Sequence, residues 1–275
     1  MICRIFDPKE CEAFLPQILH DPRYSDPHLQ TQAHLEQRLF AALDRPDQLL
    51  FGVWEGKCLT GLFNFIVLPQ DHYLELYIGL SRAASADREI LNFLRACWPG
   101  YQADFVFNPR NDLLKDCLAA CGASFDTEQH KMVLADPKPD AYSDGIELLS
   151  KRRFPEYAAM HGKDVYWTAE KIVTAPDRFR VLLAVEHGHV VGYLDVTIKY
   201  AENEIYDLFV QEDSRRRGWG KKLLAKAIEL NRPNAMMLLV DADNDAAKRL
   251  YLSAGFILDP GGNNQTATLL QPFVQ

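Results

Sequence analysis

The chain has 275 residues, 48% of them hydrophobic and 25% charged, with a formal net charge of -8 at pH 7. That balance is ordinary for a globular protein and leaves room for two domains with cores of their own. The negative charge argues against a nucleic acid as the main partner. No apolar run approaches the roughly 20 residues of a membrane helix. The opening Met1-Ile2-Cys3-Arg4-Ile5-Phe6 also lacks the apolar core of a signal peptide. The expected location is therefore the cytoplasm, with no membrane partner.

In chain order, Leu50 to Gly61 reads as a hairpin about Gly56, Leu76 to Leu80 as a strand, and Asn111 to Gly122 as a capped helix. The stretch Ser81-Arg82-Ala83-Ala84-Ser85-Ala86-Asp87-Arg88 after that strand holds no glycine. The cysteines, Cys3, Cys11, Cys58, Cys97, Cys117 and Cys121, all lie in the first half. Cys117 and Cys121 sit one helical turn apart, but no second Cys/His pair at zinc spacing accompanies them, so no metal is expected. Residues 136–145, rich in Asp, Pro and Gly, read as a linker.

Beyond the linker, Ile146 to Leu149 reads as a strand. Phe154, Tyr157, Ala158 and His161 share one helical face, and Thr168 is a plausible cap for a second helix ending near Val173. A hairpin about Gly188 and a strand from Glu204 to Val210 follow. That strand runs into Arg215-Arg216-Arg217-Gly218-Trp219-Gly220-Lys221-Lys222, and a helix carrying Leu223, Leu224, Ala227 and Ile228 on its apolar face begins at once. Such a junction aims unpaired backbone N–H groups and a positive helix end at one point, where a pyrophosphate can sit. The dinucleotide fingerprint is not met, because its third glycine falls on Leu223, and no P-loop is present. Met236 to Val240 is a further strand. After it comes Asn244-Asp245-Ala246-Ala247-Lys248-Arg249-Leu250-Tyr251-Leu252-Ser253-Ala254-Gly255-Phe256. Asp243 or Asn244 can cap this helix, Ala247, Leu250, Tyr251 and Ala254 share a face, and Gly255 suits a left-handed end.

The chain repeats itself. Equivalent points lie 132, 130 and 133 positions apart (Gly56 to Gly188, Leu80 to Val210, Gly122 to Gly255). The reading is of two like domains, 1–135 and 146–275, joined by the linker.

The Leu208-Phe209-Val210 strand end, the Arg-x-x-Gly-x-Gly loop and the Asn-x-x-Ala-x-x-x-Tyr-x-x-x-Gly-Phe helix together resemble the GNAT superfamily of N-acyltransferases. The resemblance covers residues from about 145 onward. It implies a mixed α/β fold, here as two tandem GNAT-like acyl-CoA N-acyltransferase domains. It also implies transfer of an acetyl or other acyl group from acetyl-CoA to a primary amine by direct attack. The donor site would comprise Leu208, Phe209, Val210, Arg215, Arg216, Arg217, Gly218, Trp219, Gly220, Lys221, Asn244 and Tyr251. Tyr251 would protonate the departing thiolate. Glu204 would be the base, with Asp207 a substrate anchor or an arginine partner. Regular alternation places Glu204 and Asp207 on opposite faces of their strand.

The first copy lacks the glycine loop and carries Leu118 where the second has Tyr251, so it is read as degenerate and non-catalytic. Tyr166, Trp167, Tyr193, Lys199 and Tyr200 are candidate acceptor contacts. Aromatic walls with carboxylates would suit a small cationic amine, and an amino acid, an aminoglycoside-like molecule or a peptide or protein amine fits almost as well. A homodimer is allowed. The alternative reading is a non-catalytic acyl-CoA-binding sensor or scaffold.

Overall fold

The computed structural model describes residues 1–18, 21, 23, 32–137, 144–163 and 167–270. Most of the expected linker and Tyr166 lie outside the described residues. The first half supplies β1 (Ile2–Arg4), α1 (Leu15–Ile18), α2 (Gln32–Ala41), β2 (Gln48–Glu55), β3 (Cys58–Leu68) and β4 (Tyr73–Ser81). It continues with α3 (Ala84–Cys97), β5 (Gln102–Phe107), α4 (Asp112–Ala120), β6 (Ser124–Phe125) and β7 (Gln129–Leu134). The second half supplies β8 (Ile146–Leu148), α5 (Phe154–Met160), α6 (Ala169–Val173), β9 (Phe179–Glu186), β10 (His189–Thr197) and β11 (Glu202–Val210). It closes with α7 (Trp219–Asn231), β12 (Ala235–Asp241), α8 (Asp245–Ala254), β13 (Phe256–Leu258) and β14 (Gln265–Leu270).

These strands form two seven-stranded mixed sheets, ordered β1-β2-β3-β4-β5-β14-β6 and β13-β7-β12-β11-β10-β9-β8. The expected cut at 135–146 therefore needs correction. The last strand of the chain, β14, lies between β5 and β6 of the first sheet, and β7 lies between β13 and β12 of the second. The compact units are Met1–His130 with Pro260–Gln275, and Lys131–Asp259. Each half lends the other a strand. The lent strands are buried where they insert: Ala267 and Leu269 belong to the first core, and Met132 to the second.

Both sheets part at matching places. The parallel pair β4/β5 is in register only from Tyr73 to Leu76, and β11/β12 only from Glu202 to Ile205. In the first sheet the resulting notch, lined by Gly79, Leu80, Val106, Phe107, Asn108, Asn111 and Arg23, is a cavity of only about 20 Å³. That is room for about one water molecule.

Asp87, near the start of α3, is buried and accepts a hydrogen bond from Ser81 Oγ at 2.8 Å. Its second oxygen has no partner. Burial pushes its pKa up to about 6, with Ser81 and the Arg88 charge opposing the rise. A carboxyl whose folded pKa is raised binds its proton more tightly when folded, so its contribution fades as pH climbs through about 6. Stability from this group should fall by about 1.4 kcal/mol between about pH 5 and pH 7.5. Asp87→Asn should remove that slope and raise the urea midpoint at pH 7.5; equal pH slopes for the two proteins would contradict it.

Candidate active site

α5 and α6 cover one face of the second sheet, and α7 and α8 the other. Ile205 faces the α7 side, yet so do Leu208 and Val210, while Tyr206 and Phe209 pack on the α5–α6 side. The parity changes because the β10–β11 register slips: Val196 faces Ile205 but Asp195 faces Asp207, leaving Tyr206 as an extra residue. This β-bulge overturns the expectation that Glu204 and Asp207 lie on opposite faces. Both take the α5–α6 side.

Asp207 there accepts a 2.6 Å hydrogen bond from Tyr193 Oη. The Tyr193 ring stacks on His161 at 5.3 Å and on Phe209 at 5.8 Å. Asp195, fully buried, accepts from Tyr157 Oη at 2.9 Å and meets His161 Nε2 at 3.0 Å. The other imidazole nitrogen faces the Gly162 carbonyl at 3.1 Å. A carbonyl only accepts, so Nδ1 carries a proton, and a second proton is shared along the Nε2–Asp195 contact. Burial opposes charging His161, but its hydrogen bonds and the Asp195 and Asp207 charges raise its pKa on balance. Burial also raises that of Asp195.

His161, Asp195 and Asp207 present ligand-type atoms within 4.8 Å of one another, a spacing compatible with a metal ion. Their hydrogen bonds form two groups, Tyr157–Asp195–His161 and Tyr193–Asp207, joined by the stack of the Tyr193 ring on His161.

Glu204 lies nearer the start of β11. Burial raises its pKa, and the Arg178 and Lys131 charges oppose the rise. Tyr251 projects from α8 into the α7-side core, edge-on to Phe256 at 6.0 Å. Burial, then the nearby Asp207 charge, pushes its pKa up to about 12. Its hydroxyl is therefore a neutral donor at physiological pH.

Past Ile205 the gap opens. Gln211 N–H donates to Val191 O, which fixes the ladder phase: residues 207, 209 and 211 bond to β10, and the Leu208 and Val210 backbone groups point into the gap. Arg215 Nε already occupies the Val210 carbonyl at 2.9 Å. The chain then turns through two left-handed residues, Arg216 at φ 61° and Gly218 at φ 87°. Alternating backbone of this kind gathers N–H groups into an anion-binding nest. α7 starts at once with no side-chain cap.

The loop cations sort themselves. Arg217 pairs with Glu186 at 2.8 Å, and Lys222 reaches the Asp144 carbonyl and lies over the Trp219 ring. Arg216 and Lys221 are exposed and make no such contact among the described residues. Two candidate donor-site residues serve packing. Trp219 is buried in the core, where a Cβ on Gly145 would touch its ring. A Cβ on Gly220 would meet Leu250 at 3.0 Å, so this glycine lets α7 approach α8. Asn244 caps α8, its Oδ1 accepting from Ala247 N–H at 3.0 Å. Thr168 caps α6 and Gly255 ends α8 at φ 100°, as the sequence predicts.

Tyr157 and His161 are legible in the sequence as one helical face, whereas Asp195 belongs to no motif. Its signal is a lone acid inside the apolar run Val190 to Val196.

The sequence profile of the Acetyltransferase (GNAT) family matches residues 146–256. Those residues form a GNAT acetyltransferase domain. N-alpha-acetyltransferase RimI of Mycobacterium tuberculosis is 33% identical over 94 residues, which cover 30% of this chain and 60% of that protein. The GNAT architecture extends over the whole chain. A GCN5-related N-acetyltransferase from Sphaerobacter thermophilus superposes with a TM-score of 0.70 at 14% identity, covering 100% of this chain and 97% of its own. A tandem GNAT protein from the clavulanic acid biosynthesis pathway does so with a TM-score of 0.61 at 12% identity, covering 100% and 99%. At such identities the likeness is one of fold: two tandem GNAT folds, one per sheet.

The first GNAT fold repeats the bulge, at Tyr77, but not the side chains. Asn64 and Ile78 face each other where the second has Asp195 and Asp207.

Proposed function

We propose that residues 131–259 move an acetyl group from acetyl-CoA to a primary amine by direct attack in a ternary complex. The observation that carries this is the open β11/β12 gap, with the Leu208 and Val210 amides at its side and the Arg216–Lys221 turn at its end. The turn's amides, with Arg216 and Lys221, would hold the diphosphate, and the Leu208 region would polarise the thioester carbonyl. Acetyl-CoA supplies an activated carbonyl with a thiolate leaving group. Glu204, its pKa raised by burial toward the operating range, takes the proton from the attacking amine. Asp207 holds Tyr193 and faces the incoming nitrogen. Tyr251 donates to the departing sulfur. The first GNAT-like fold, with its 20 Å³ notch, takes no part in the chemistry.

The RimI likeness supports acetyl as the acyl group. The acceptor is a small-molecule or peptide amine, and the partner is not nucleic acid. The rival reading, an acyl-CoA sensor without turnover, shares the gap and the turn but has no use for Tyr251. CoA at about 100 times its Kd should add about 2.7 kcal/mol of stability, raising the melting temperature by a few degrees. Arg216→Glu with Lys221→Glu should abolish that rise. A protein that shows no shift with millimolar CoA or acetyl-CoA does not bind the donor, and the proposal falls.

A further inference from the structure

Arg178 stands at the head of β9, on the same face as Glu204. Its guanidinium lies 4.5 Å from the Trp167 ring centroid, 5.5 Å from that of Phe179 and 5.9 Å from that of Tyr200. Aromatic rings that would greet a cationic substrate are thus already occupied by a cation of the protein itself. The guanidinium makes no hydrogen bond or ion pair among the described residues, and Nε is sealed from solvent without a partner. Glu204 feels its charge without bonding to it. Asp177, next in the chain, is held by Lys199 at 3.3 Å. A buried donor on a guanidinium set among aromatic rings, with no acceptor, calls for an explanation. Its fork matches a carboxylate.

The donor's phosphates are not that acceptor. The turn at 215–221 follows the far end of β11, about 20 Å along the strand from Glu204 at some 3.3 Å per residue. Arg178 instead borders the part of the face where the amine must meet Glu204 and Asp207. Tyr206 joins the two places: its ring lies 5.9 Å from that of Phe179, and Glu204, Asp207 and Arg178 all bear on its hydroxyl.

We infer that Arg178 receives a carboxylate carried by the acceptor, so that the amine substrate is an amino acid or a short acidic peptide rather than a simple polyamine. This rests on the transferase reading of the same site. It also corrects the expectation that the aromatic wall attracts the substrate's own cation.

Two matched pairs test it: lysine against cadaverine, which differ by the carboxylate, and a glutamate-bearing peptide amine against its glutamine counterpart. Binding to CoA-saturated protein is measured by calorimetry, and turnover by free-thiol release. The carboxylated member of one pair should win by about 10- to 100-fold in Kd or kcat/KM, the range of a charge-assisted hydrogen bond. Which pair responds tells free amino acid from peptide. Arg178→Gln should bring that ratio toward one. Arg178→Lys should recover little of it, because an ammonium lacks the planar fork. Retention of the CoA-induced thermal shift shows that each variant is folded.

No preference in either pair, no binding of either carboxylated probe, or a preference that survives Arg178→Gln would overturn the inference. Arg178-dependent binding without thiol release would sink the transferase reading alone. Thiol release that ignores the carboxylate would sink only this one.

Discussion

Tyr251→Phe should lower kcat by about 100-fold while leaving CoA binding in place, the range expected for loss of a positioned general acid. The ring is buried against Phe256 and keeps its packing in the variant. Stability should therefore change little. Burial and the Asp207 charge keep the wild-type hydroxyl protonated up to about pH 12. No deprotonated Tyr251 population exists near neutrality, and a rise in rate with pH must come from groups on the amine side. A CoA-induced thermal shift equal to wild type, with thiol release cut at every amine concentration, is the expected pair of results. Undiminished release would take Tyr251 out of the reaction; no release from the wild type with any amine is the result that would favour the sensor reading.

The larger effect should come from cutting the chain between residues 135 and 146. Fragment 1–135 loses β14, so β5 becomes an unpaired edge and β6 loses its neighbour. Fragment 146–275 loses β7, which separates β12 from β13. Each fragment also carries a strand built for the other, with Met132 or Ala267 and Leu269 exposed to water. Unpaired edges with apolar strands invite aggregation. Each fragment alone should lack a cooperative unfolding transition, and co-expression should return a soluble one-to-one complex. A fragment that melts cooperatively by itself would show the exchanged strand to be dispensable.

Much of this architecture can be read from local signals. The hairpins about Gly56 and Gly188, the Thr168 and Asn244 caps, the Gly255 terminus and the 130-residue repeat each depend on a few neighbouring residues. The strand exchange depends on none. Nothing in Gln129–Leu134 or Gln265–Leu270 states which sheet receives it, because an apolar strand fits any edge of suitable register.

The site divides the same way. The Arg216–Gly218 turn follows from its glycines and its place between strand and helix. The shared face of Glu204 and Asp207 does not, since period-two reasoning assumes an unbroken ladder. Trp219 and Gly220 look like ligand contacts from their spacing, and the fold also gives them a packing task, because Gly145 and Leu250, distant in sequence, close on them. Arg178 carries no motif at all. Its setting is assembled from Trp167, Phe179 and Tyr200, which only the folded chain brings together.

The extra residue at Tyr206 acts as a phase shifter for the strand. Were the bulge flattened with every residue kept, strict two-residue rhythm would swing Glu204 and Asp207 onto opposite faces, with hardly a change in the outline of the sheet. The sister strand keeps the same offset at Tyr77 while presenting Ile78 in place of an acid. Scaffold and reagents are thus separable: backbone timing decides where a side chain will be aimed, and the identity of that side chain decides whether anything happens there.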